Sequence, residues 1–236
     1  MRNETFYLDG IDARSAGIQL RAPIEFSEAV PVVEAQTIPG RNGDLIWETG
    51  SYENRSGSAS CFCLQKDVEK AISSAGRFLM EKKGYRRLET SDDPDHFWMA
   101  RVENSPQIAM RLRMLAPFEI GFDCKPQRFV KSGENAVVFT SNGSLFNQYG
   151  QVALPFITLY GQGAGRLTVG DCVIEVKSLD GTLNLDSDTQ NAYNDSGNQN
   201  LNINAPAFPV LREGETPIAF SGGIEKVEII PRWWEI

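Results

Sequence analysis

Only one stretch of this chain has the apolar spacing of a helix, so nearly everything else has to be built from strands. In KDVEKAISSAGRFLMEKKG the residues Val68, Ala71, Ile72, Ala75, Phe78 and Leu79 recur at intervals of three and four. That spacing gathers them on one face of a helix over about residues 66–83. Lys82 and Lys83 suit its negative end, and Gly84 is a natural residue just past it. Elsewhere, short apolar runs with turn residues between them predict strands: ETFYLDG, GIQLRA, VPVVEAQTI, DLIWETG, SASCFCL, RRLET, HFWMARVE, IAMRLRMLA, FEIGFDC and AVVFT. Arg111 and Arg113 alternate with Met110, Leu112 and Met114, the period of a half-buried strand.

Composition shifts near residues 133–151, where SGENAVVFTSNGSLFNQYGQ is polar and rich in Gly and Asn. A second strand series follows: LPFITLYG, GRLTVG, CVIEVK, TLNLD, NLNINA, TPIAFSG and KVEIIPRW. The chain is thus expected to be mainly β, with a helix-bearing β domain over residues 1–140 and a β-sandwich over residues 141–236. The start, MRNETFYLDG, has no apolar core of a signal peptide, and no run reaches the roughly 18 apolar residues of a membrane helix. The expectation is a soluble protein made in a cytoplasm, with no membrane insertion.

The net charge of −8 is uneven, since residues 141–236 carry 5 Lys+Arg against 11 Asp+Glu. Such a chain does not bind nucleic acid by neutralising phosphates. It can stand beside DNA without sticking to it, because like charges repel.

Candidate chemistry is sparse. The stretch GQGAG, Gly161–Gly165, follows a strand as a dinucleotide fingerprint does, but RLTVGDCVIEV after it is β-patterned. Without a helix N-terminus for a pyrophosphate, the glycines read as a hairpin turn. Asp186, Asp188, Asn191 and Asp195 form an oxygen-rich run that lacks the spacing of a calcium loop and suits solvated turns. His96, the single histidine, has no serine or cysteine marked as its nucleophile. Cys61, Cys63, Cys124 and Cys172 contain no CxxC pair; Cys61 and Cys63 share a strand face and read as buried, reduced thiols. No catalytic residue, cofactor site or metal site is assigned, and the chain is not read as an enzyme.

Two features point to contacts with other subunits. In Trp233-Trp234, consecutive side chains on a strand face opposite ways. One indole closes the core, and Trp234 either does the same or meets a neighbour. The segment TIPGRNGDLIWETGSYENRSG holds Asn42-Gly43, which predicts a type I′ turn between strands. Arg41, Asn42, Gly43 and Asp44 around it form a shaped, donor-rich loop, read as either a plain surface hairpin or an interface.

Four stretches together resemble the distal tail protein (Dit) family of long-tailed siphophages and prophages of Gram-positive bacteria. They are FYLDGIDARSAGIQL; IPGRNGDL followed by Ser51-Tyr52; FDCKPQRF; and the half running from LPFITLYGQGAGRLTVGDCVIEV through NLDSDTQNAY to FPVLREGETPIAFSGGIEKVEIIPRW. The resemblance implies a tail-tube-like, β-barrel-like N-terminal domain with one helix and a galectin-like C-terminal sandwich. It implies a homo-hexameric ring at the distal end of a virion tail, joining the tail tube protein to the tail-associated lysin or baseplate hub. DNA would pass through its centre; the net charge of −8, not the resemblance, leads us to expect an acidic lumen. The resemblance also implies that the 37–57 region is a ring-domain hairpin of the kind that reaches the next subunit; if so, Arg41 and Asp44 are the residues expected to meet a neighbour, the alternative being a plain surface hairpin. The competing classes are a carbohydrate-binding sandwich for host-surface recognition and a hydrolase of cell-wall sugars.

Overall fold

The computed structural model describes residues 4–63, 68–103 and 116–236. Backbone contacts divide the chain into two compact units, Met1–Arg128 with Ile236, and Phe129–Glu235. Residues 129–140, assigned from sequence to the first domain, group with the second unit. The reason is pairing: Val137–Phe139 lies against Val227–Ile229, and the Val130 amide donates to the Trp233 carbonyl at 2.9 Å.

The first unit is a curled, half-barrel sheet. Its strands run in the order Ile11–Asp12, Phe6–Leu8, Arg86–Thr90, His96–Val102, Ala116–Val130, Arg55–Cys63, Ile18–Leu20. Strict alternation along Arg55–Cys63 places Ala59, Cys61 and Cys63 in the core with Phe6, Leu8, Leu88, Ile120 and Phe122. The helix Val68–Met80 adds Ala71, Ala75 and Leu79 to that core. Residues 66–67 of the predicted helix, and nearly all of IAMRLRMLA, lie outside the described residues. The helix stops before Lys82 and Lys83. Buried Arg86, not a lysine, serves its negative end by donating to the Phe78 carbonyl at 2.8 Å. Arg86 and Lys82 both also donate to Asp9, whose φ of 52° and that of Gly10, 78°, make a two-residue turn. With both central residues at positive φ and Leu8 paired to Ile11, this is the tight hairpin that favours Asp-Gly.

The second unit is one antiparallel sheet folded over its own core. Three long strands carry it: Phe156–Val169, Cys172–Asp186 and Gly214–Ile230. Val137–Phe139 and Asn191–Asn194 pair with one half of these strands, and Gly143–Asn147 and Ile203–Asn204 with the other. Both halves bury apolar side chains in a single cluster, among them Ile157, Leu159, Leu167, Ile174, Leu183, Ile218 and Val227. That is the two-layered core of a sandwich, with each layer a half of the same strands.

The GQGAG segment is not a hairpin turn. It lies in mid-strand, where the register against Cys172–Asp186 slips between Gly163 and Gly165. Core-facing positions in that partner strand consequently switch from Ile174 and Val176 to Leu179, Leu183 and Leu185. The glycines are there because two backbones nearly touch. A Cβ on Gly161 would sit 1.9 Å from the Gly223 carbonyl oxygen, and one on Gly223 would sit 1.8 Å from that of Gln162. Turn chemistry and close approach draw on the same residue, so the sequence shows the glycines without saying which need they serve.

Gly161→Ala is expected to destabilise the protein by about 3 kcal/mol in urea unfolding, because neither backbone can give way. Gly76→Ala, in open space on the helix, is expected to stabilise it by up to about 1 kcal/mol. The four cysteines are free; Cys61, Cys63 and Cys124 are buried and Cys172 is half-buried. Burial pushes the Cys61 and Cys124 thiols up to about 12. A thiol reagent at pH 8 is therefore expected to label Cys172 alone in the native protein and all four cysteines once it is unfolded.

Candidate subunit interface

The hairpin Pro31–Gln36 with Leu45–Tyr52 is almost wholly exposed and forms a two-stranded sheet of its own. Two strands alone are marginal in water, yet this pair leaves large apolar groups in solvent. Ile46 is 62% exposed, Trp47 60% and Val33 49%. Cross-strand register sorts them by face, since directly paired residues share one. Val33, Ala35, Ile46 and Glu48 lie on one side; Glu34, Gln36, Leu45 and Trp47 lie on the other. With exposed apolar groups on both sides, neither face reads as the solvated face of a half-buried hairpin.

The loop at its tip holds four of the sequence candidates. Gln36 pairs with Leu45, so residues 37–44 form an eight-residue connection, not a two-residue turn at Asn42-Gly43. Gly40 and Gly43 take φ near 83° and 81°, but Asn42 does not have the positive φ that a type I′ turn needs at both central positions. The loop is braced instead by the Thr37 hydroxyl, which donates to Asp44 at 2.7 Å, and by the Arg41 amide, which donates to the Ile38 carbonyl at 3.1 Å. Asp44 is thereby engaged in the loop's own structure. The Arg41 side chain meets no acceptor among the described residues and is exposed. The sequence singled out the tip as an interface candidate and predicted both strands of the stem, VPVVEAQTI and DLIWETG, but not that Val33, Ile46 and Trp47 stay exposed on them.

Trp234 sits elsewhere, in the second unit. It is half-buried and its indole N–H donates to the Val152 carbonyl at 3.0 Å, while Trp233 is buried against Tyr149 and Gly133. Both indoles help to close the fold at the chain end. The neighbouring Arg232 has a φ of 58°, a strained value for a residue with a side chain. Its amide donates to the Gly133 carbonyl and its guanidinium donates to Asp186 at 2.6 Å. Asp186, a candidate metal ligand by sequence, thus serves as the counter-ion of a structural arginine. Asp188 and Asp195 are exposed turn residues, and Asn191 accepts from the Asn198 amide. Among the described residues no group of three acidic, histidine or cysteine side chains could hold a metal ion.

His96 lies at 2.7 Å from Asp93, which also accepts from Arg128. Burial pushes Asp93 up, but the bonds from His96 and Arg128 outweigh it and hold the carboxyl below its usual range. In the second unit, an open cleft of about 550 Å³ is lined by Arg166, Glu175, Lys177, Asn204 and Ser221, with no aromatic platform for a sugar ring.

Asp186 provides a pH test. Burial raises its pKa, and the Arg232 hydrogen bond and charge, with the Asp188 amide, more than offset that and leave it lowered. A depressed carboxylate contributes stability above its unfolded pKa, near 4, and loses it as pH falls through the lower folded value. Arg232→Ala is therefore expected to lower stability at pH 7, with the gap from wild type narrowing below about pH 4 in thermal unfolding followed by circular dichroism.

No family model matches the chain, and no curated protein matches its sequence. The crystal structure of SPP1 Dit (gp 19.1), described as a paradigm of the hub adsorption apparatus in phages infecting Gram-positive bacteria, is similar with a TM-score of 0.68. The match covers 96% of this chain and 98% of that one at 15% sequence identity. Through both units, this chain has the fold of the SPP1 Dit protein.

Proposed function

We propose that this protein is a structural component of a phage tail tip, a hub protein of the Dit kind, and acts by assembly. The observation that carries the reading is the fold likeness to SPP1 Dit along nearly the whole of both chains. The exposed hairpin supports it independently, because an apolar, two-stranded arm is what a subunit holds out to a neighbour. In this reading the first unit builds a homo-hexameric ring at the distal end of the virion tail. The ring joins the tail tube protein to the tail-associated lysin or baseplate hub. DNA passes through without specific binding, in keeping with a chain of net charge −8. The second unit is a galectin-like sandwich on the same ring, and the role asks for no turnover and no cofactor.

A closed ring needs a head-to-tail contact with cyclic symmetry. Negative-stain electron microscopy with light scattering of the purified chain is expected to show six-membered rings. Arg41→Glu at the arm's tip is expected to weaken them; rings unchanged by that substitution would remove the tip from the interface. A protein that stays monomeric at every concentration would count against self-assembly, and glycan-array binding by the second unit would then favour the carbohydrate-binding reading.

A further inference from the structure

The arm carries a more specific feature than exposed apolar surface. Trp47 faces solvent with Glu34 as its direct cross-strand partner and Gln36 on the same face; Glu48, next in sequence, is paired on the opposite face. All of these residues, Glu48 included, line a cleft of about 520 Å³. Neither Glu34 nor Glu48 has an ion-pair partner among the described residues, and no cation lies over the Trp47 ring there. Elsewhere in the chain rings do take cations: Arg87 stands 3.8 Å from the centre of Phe97, and Lys226 stands 3.7 Å from that of Tyr160. An exposed indole is the strongest π-face a protein offers a cation, and an adjacent carboxylate adds charge to the attraction.

We infer that this cleft is a receptor for an arginine or lysine side chain donated by a second copy of the chain. The inference rests on the assembly reading above and says which chemistry completes the arm. Charge complementarity favours a second copy. The same arm ends in Arg41, an exposed guanidinium with no acceptor among the described residues, so each copy has both an unmet cation and an unmet anionic indole cleft. Trp and Arg are also the side chains that dominate the centres of protein interfaces. Such a site depends on charge and is weakened by salt, whereas contact through Val33 and Ile46 on the other face is not.

The test is sedimentation velocity of the full chain over a range of concentration at low and high salt. Variants would be Trp47→Ala, Trp47→Phe and the double substitution Glu34→Arg with Glu48→Arg. Asp171→Lys, at a fully exposed position in the second unit, serves as the control. Self-association is expected to weaken at least ten-fold for Trp47→Ala and for the double reversal, and less for Trp47→Phe. The control should match wild type, and salt should weaken wild type more than the double reversal. All these side chains are exposed, so circular dichroism should show each variant folded. Wild type that self-associates equally well with either variant would overturn the cleft while leaving the ring intact. Wild type that never self-associates would overturn both.

Discussion

Where the strands Phe156–Val169 and Gly214–Ile230 cross the middle of the second unit, their backbones come closer than any side chain permits. Gly161 faces the Gly223 carbonyl and Gly223 faces that of Gln162, each with less than 2 Å left for a Cβ. Gly165 and Gly222 extend the contact, with a Cβ on either falling 2.6 Å from a neighbouring atom. This contact lets strands of 14 to 17 residues bend and place both halves on one core. Long strands that stayed flat would have exposed half of their apolar positions, and the sandwich would have needed separate strands joined by more turns.

The hairpin arm obeys the opposite constraint. Its strands have the apolar content of a core element, but the described structure covers neither of its faces, so Ile46, Trp47 and Val33 remain in water. The long strands of the second unit gather their apolar side chains into one buried cluster, although Phe146 and Leu201 at its surface stay exposed; the arm has no buried cluster of its own. That unmet apolar demand is the feature of the arm that the proposed assembly would satisfy.

Legibility followed how local the governing physics was. The helix was readable because Ala71, Ala75 and Leu79 repeat on one face whatever lies opposite. Asn42-Gly43 carried a tight-turn signal and adopted another structure, since the strands end at Gln36 and Leu45 and leave eight residues to close the loop. Asp186 was readable as an oxygen donor but not as the partner of Arg232, which lies 46 residues away in the chain. The resemblance in motif order anticipated the fold found by structural comparison, even though 15% identity leaves few residues in common.

The sequence by itself determined the mainly β class, the helix at Val68–Met80 and the burial of Cys61 and Cys63. These follow from periodicity and composition, which act over a few neighbouring residues. Tertiary structure alone decided that Gly161–Gly165 is a crossing point and not a turn, that residues 129–140 belong with the second unit, and that Trp234 turns inward while Trp47 stays exposed. Each of those outcomes depends on which distant segment arrives alongside, and a glycine or tryptophan has the same local preference whether or not that partner comes.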